Sequence, residues 1–181
     1  MGHATSILTF TGPQLTANTT RVWHFGHAEI AKNTARLKAN AIGFYVIVGQ
    51  SVTAFLPRST QTAIAEFLAA IRAANTDYCG IIVVLDNFSS HHAAAVIQAA
   101  KDNAIKLIFL PPYSSDLNPI EFTRESIERV ISVATSRSIN HLRRSIGTTF
   151  AEGSPHCSYA KSWIKSFVPD VVDYKRLYEW L

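Results

Sequence analysis

Acidic residues are scarce in the first part of the chain. Before Asp77 there are only Glu29 and Glu66, and no aspartate, so the other eleven of the 13 acids lie further on. A mechanism that draws a carboxylate from the first strand of the fold is therefore in difficulty. Cysteine is rare as well. Cys79 and Cys157 are too few for a disulfide framework and too far apart for a local zinc knuckle, and each reads as a small buried residue or an inert thiol. No apolar run approaches the ~18–20 residues of a membrane span. The opening residues, Met1 to Ser6, lack the basic start and apolar centre of a signal peptide. Only 17% of the 181 residues are charged while 48% are hydrophobic, which excludes a disordered polyelectrolyte and suits one folded domain. Lysine and arginine number 17, for a net charge of +4, an excess that permits a polyanionic partner without requiring one.

What is present is a change of hydrophobic period along the chain. Residues 5–11 (TSILTFT) are β-prone and stop at Gly12-Pro13. Residues 14–40 are polar and irregular, with a short candidate strand at 20–25 (TRVWHF) and a helical turn at 28–37. Two β-rich runs follow, 41–48 (AIGFYVIV) and 51–56 (SVTAFL), and the intervening Gly49-Gln50 predicts a two-residue hairpin turn. Ile64, Phe67, Leu68 and Ile71 then recur at i, i+3, i+4 and i+7, the stripe of an amphipathic helix over 60–74. The run 80–85 (GIIVVL) reads as a strand buried on both faces and ends at Asp86. Residues 90–103 read as a helix and 106–110 (KLIFL) as a second buried strand. Asn118-Pro119-Ile120-Glu121 has the form of a helix start, with the helix running to about Ala134, and further helices are expected at 139–150 and 158–167. The short strand–helix–strand unit requires parallel strands with a right-handed crossover. A meander followed by parallel strands makes a mixed five-stranded α/β sheet flanked by helices, the ribonuclease-H-like arrangement.

Two carboxylates stand out. Asp86 ends a central strand at its carboxyl edge, where open α/β sheets place their ligands. Its bland reading, shared with Ser89 and Ser90, is the N-cap of the next helix. Glu121 lies in the first turn of a helix that opens just after the neighbouring strand, and it can reach back toward Asp86. Its bland reading is a capping box with Asn118. Two carboxylates placed together repel unless protonated or bridged by a hard cation, and an all-oxygen site suits Mg²⁺ or Mn²⁺.

The string Val84-Leu85-Asp86-Asn87, then His91, then residues 110–121 (LPPYSSDLNPIE) resembles the catalytic core of a DDE transposase, most nearly the mariner-like branch and related insertion sequences. Thirty-four residues separate Asp86 from Glu121, a spacing typical of that branch. The likeness spans roughly residues 7–135, and less closely the tail. It implies that Asp86 and Glu121 are the second and third carboxylates of a metal-binding triad. Such triads hold two divalent ions ~3.5–4 Å apart that activate a water or a DNA 3′-hydroxyl and stabilise the leaving oxygen. By the same resemblance Asn87 and His91 order the site, Asn118 and Pro119 fix the helix start that aims Glu121, and Asp116 caps the loop. The partners it implies are DNA and a second copy of the chain in a homodimer, with no membrane. The implied compartment is intracellular: the cytoplasm of a prokaryote or the nucleus of a eukaryote.

The sequence departs from that pattern in one place. The family sets its first aspartate at the end of the first strand, where this chain has Thr11-Gly12. Threonine alone is a poor Mg²⁺ ligand, so reduced metal affinity and turnover are expected. Glu125 and Glu128 share the Glu121 helix face at i+4 and i+7, as helpers or as a solvated row. The family also carries an amino-terminal helix-turn-helix that reads transposon ends. Nothing ahead of residue 7 has the length for one, so the chain is read as one ribonuclease-H-like domain: a catalytic fragment, a decayed copy or a domesticated remnant. His24 and His27 lack a third ligand. Arg137, Arg143, Arg144, Lys161, Lys165, Lys175 and Arg176 enrich the last third in positive charge, as phosphate contacts or as solvated surface. Two functions compete: a metal-dependent strand-transfer enzyme, and a non-catalytic module that binds DNA or a sister subunit.

Overall fold

A computed structural model describes residues 3–11, 37–46, 49–112, 118, 120–133 and 138–153. The expectations for 20–25, 28–36 and 158–167, and for His24, His27, Asp116, Pro119, Arg137 and the lysines of the tail, lie outside the described residues. Among the described residues five strands form one mixed sheet: β1 (His3–Thr11), β2 (Ala41–Val46), β3 (Val52–Phe55), β4 (Gly80–Leu85) and β5 (Ile105–Phe109), in the order β3-β2-β1-β4-β5. β1 pairs antiparallel with β2 and parallel with β4, so it joins the meander to the parallel half. The helices described against it are α1 (Gln61–Ala74), α2 (Ala94–Asp102), α3 (Ile120–Val133) and α4 (Ile139–Gly153). Among the described residues no helix is long and apolar enough to cross a membrane.

The period-2 alternation of the strands sorts their side chains between two cores. Ile42, Phe44 and Val46 of β2 and Ile81, Val83 and Leu85 of β4 pack with Ile64, Phe67, Leu68 and Ile71 of α1 and with Val96 and Ala100 of α2. Ala41 and Tyr45 of β2 and Val84 of β4 face the other way. They join Ile120, Ile127 and Ile131 of α3 with Leu142, Ile146 and Phe150 of α4. A helix pair thus covers each face. The expected stripe of α1 is buried in full, and Thr60 caps that helix by accepting a hydrogen bond from the N–H of Ala63 at 3.3 Å.

Cys79 is exposed rather than buried, and three expectations about the elements need correction. The hairpin is not closed by a two-residue turn at Gly49-Gln50, since that turn would set Phe44 opposite Phe55, whereas Phe44 pairs with Val52. The connection is held instead by a distant side chain. The buried Asn75, at the end of α1, accepts a hydrogen bond from the N–H of Gln50 at 2.7 Å and donates to its carbonyl at 3.0 Å. Next, the helix expected over 90–103 is broken. A single 3-10 turn, Ser89–His92, precedes α2, and Ala93 between them is extended at φ −62° and ψ 140°. Neither helix start has a side-chain cap, so the bland capping role for Asp86, Ser89 or Ser90 is not realised. Last, β5 is an edge strand rather than a second buried one, and its Lys106 and Ile108 are exposed. A lysine on an open edge discourages pairing with another chain.

Candidate active site

Alternation along β4 determines where Asp86 lies. Val84 belongs to the core under α3 and α4, so Asp86, two residues on and just past the strand, falls on the same side. Glu121 sits there in the first turn of α3. The buried Asn118 anchors that helix start: its carbonyl accepts from the N–H of Glu121 at 3.0 Å and its side-chain oxygen from the N–H of Ile120 at 3.4 Å. Partial burial pushes the Glu121 carboxyl above the usual carboxylate range. Arg124 counteracts this, while the negative charges of Asp86 and Glu128 add to it. The two carboxylates are thus close enough for their charges to oppose each other.

The Glu121 carboxylate does not complete a capping box. Its Oε2 lies 2.7 Å from Nε of Arg124, one helical turn on, and a second nitrogen of Arg124 lies 3.6 Å from Oε1 of Glu128. Glu125 is exposed. Asp86 is held from behind. Nδ1 of the fully buried His91 lies 2.8 Å from its Oδ1 and 3.2 Å from its backbone carbonyl. Both are acceptors, so Nδ1 carries the hydrogen, and it donates to the backbone carbonyl. Asn87 turns away from Asp86. Its side-chain oxygen contacts the ring of His92, which stacks on Phe109 with centroids 4.1 Å apart. Thr11 closes β1 opposite Ala41, three residues past the Leu8–Leu85 pair.

Asp86, Glu121, His91 and Asn118 are thus brought to one end of the sheet, and Asn87 flanks it. Sequence reasoning missed two residues. Arg124 was readable from its spacing to Glu121 and Glu128, at i−3 and i+4. The anchoring of Asn87 by His92 had no local signal. As a cation site the arrangement supplies hard carboxylate oxygens from two side chains. Among the described residues no group of three or more His, Cys, Asp or Glu side chains gathers around a common point. The donors that are present fit an oxygen-seeking divalent cation.

The family model for DDE superfamily endonucleases matches residues 10–143. The chain belongs to that family. Its fold is that of the ribonuclease-H-like catalytic domain of Mos1 mariner transposase, whose solved structure superposes with a TM-score of 0.62 at 16% identity, covering 88% of this chain and 79% of that one. The Mos1 paired end complex with Mg gives a TM-score of 0.68 at 16% identity, covering 92% of this chain and 55% of that one. The Mos1 strand transfer complex gives 0.60 at 16% identity, covering 90% of this chain and 52% of that one. This DDE chain therefore spans about half the length of the chains in those complexes. No curated protein matches it.

Proposed function

We propose that this chain is the strand-cleavage and strand-transfer domain of a transposase, a single ribonuclease-H-like unit over residues 1–181 that acts on DNA phosphodiesters. The observation that carries the reading is the pairing of Asp86, at the carboxyl end of β4, with Glu121, in the first turn of α3, on one face of the sheet of a DDE-family chain. In this reading Asp86 and Glu121 hold Mg²⁺ or Mn²⁺, the ions present in Mos1 paired end complexes. The chemistry such ions supply is polarisation of the scissile phosphate and acidification of the attacking hydroxyl. The chain's own contribution is placement. His91 Nδ1–H holds the backbone carbonyl of Asp86 and lies against one carboxylate oxygen, and Asn118 holds the backbone from which Glu121 projects. Asn87 and Pro119 shape the two loops. The partners are DNA and a second copy of the chain, inside the cell.

Thr11 stands at the end of β1 without a carboxylate, so this site has two acids where the family pattern has three. Slow turnover and weak metal affinity follow from that count. The same count favours a second reading, a module that binds DNA without cutting it. Nicking of a DNA duplex in Mn²⁺ separates the two. The enzyme reading expects cleavage that disappears in Asp86→Asn and Glu121→Gln, and cleavage surviving both changes would sink it. The binding reading expects salt-sensitive DNA association without turnover. A gain of cleavage in Thr11→Asp would confirm the place of the missing ligand.

A further inference from the structure

We propose that Arg124 is a built-in counter-ion of the site: it neutralises Glu121 while no divalent cation is bound and transfers to Glu128 when one binds. The inference rests on the metal-site reading above and adds a residue which that reading does not use. Arg124 sits between two glutamates on one helix face, with Nε at 2.7 Å from Glu121 and Nη1 at 3.6 Å from Glu128. The first contact is a close charge-assisted pair, whereas the second is too long for a hydrogen bond and leaves room to shorten. The burial pattern favours exchange in that direction. The Glu121 side chain is 24% exposed and faces the charge of Asp86, while the side chains of Arg124 and Glu128 are 43% and 45% exposed and have solvent in which to rotate. Formal charge points the same way. Asp86, Glu121 and Glu128 with Arg124 sum to −2, the charge that one divalent cation balances. Arg124 must give up Glu121 for that carboxylate to accept a cation, and the acceptor it needs is one helical turn away.

Calorimetric titration of the DNA-free chain with MnCl₂ tests the exchange without any catalytic readout. Arg124→Gln should bind Mn²⁺ roughly three- to tenfold more tightly than the unaltered chain, the size expected for removing one partly exposed positive charge from the vicinity of a dication. Arg124→Lys keeps the charge and should stay within about twofold of the unaltered chain on the same electrostatic grounds. Glu128→Gln removes the alternative acceptor and should weaken binding by about two- to fivefold. If Arg124→Gln binds no more tightly while Asp86→Asn abolishes binding, the counter-ion role is overturned and the metal site stands. If Asp86→Asn binds as the unaltered chain does, or if neither the unaltered chain nor Arg124→Gln binds Mn²⁺, the metal-site reading fails and the counter-ion role with it. Glu128 is exposed enough for its variant to fold, so its result decides even if Arg124→Gln loses structure.

Discussion

His91 lies fully buried behind Asp86, donates its Nδ1 hydrogen to the backbone carbonyl of Asp86 at 3.2 Å and sets the same nitrogen 2.8 Å from the Asp86 carboxylate, so a core residue holds the backbone and the side chain at the end of β4. The ring of Phe88 meets it edge-on at 5.9 Å, which closes the turn around the pair. This one contact couples the integrity of the loop after β4 to the aim of its carboxylate.

Replacing His91 with leucine keeps apolar volume but removes the donor. Its expected cost is about 1–3 kcal/mol of unfolding free energy, the penalty for a part-buried backbone carbonyl that loses its hydrogen-bond donor. Urea denaturation checks this. An unchanged midpoint would show that Asp86 is held by the backbone alone.

Glu121 predicts a pH dependence whose sign follows from its raised folded-state pKa. A raised carboxylate pKa means that the fold prefers the neutral acid. The associated stability is fully present below the ordinary glutamate value and is lost as pH rises through the higher folded value. Glu121→Gln mimics the neutral form. It should melt with the unaltered chain at acidic pH and above it at neutral pH, in the absence of divalent ions. Melting curves across that range test the sign, and a variant less stable at neutral pH would contradict it.

Gly43 predicts a steric effect. A Cβ built there would lie 2.8 Å from a ring carbon of Phe150, whose side chain is buried between β2 and α4. The ring must shift to admit a methyl group, so Gly43→Ala should cost about 1–3 kcal/mol through overpacking. Adding Phe150→Leu should recover part of that loss, and a simple sum of the two single effects would rule out the contact as the cause.

Much of the fold was legible because local pattern and tertiary need agree. The GIIVVL run is β4 as expected, and the stripe from Ile64 to Ile71 is the buried face of α1. The disagreements arise where contacts outside the local pattern decide. The turn at Gly49-Gln50 has the composition of a tight hairpin, but Asn75 satisfies its backbone from 25 residues away, and so the register can differ. An alanine-rich helix was the local reading of 90–103, but holding His91 against Asp86 requires a separate turn before Ala93. The apolar composition of β5 could not reveal that it would lie at the edge of the sheet formed by the described residues. In the site, Asp86 and Glu121 were found by their positions at strand end and helix start. The ion pair that engages Glu121 follows from spacing on α3 alone, because Arg124 stands at i+3 from Glu121 and i−4 from Glu128.

The position of β1 between β2 and β4 has a kinetic consequence. His3 pairs with Gly80, 77 residues later (80 − 3), whereas β2 with β3 and β4 with β5 are joined by short segments. Loop-closure entropy makes the long-range pairing the slow one, and it cannot begin until β4 has been synthesised. The hairpin and the strand–helix–strand unit can form as separate local nuclei, and the step that unites them is the insertion of β1. The edge that carries Asp86 therefore acquires its neighbouring strand late in folding, and a substitution that weakens β1 should slow maturation of the site more than it disturbs either half.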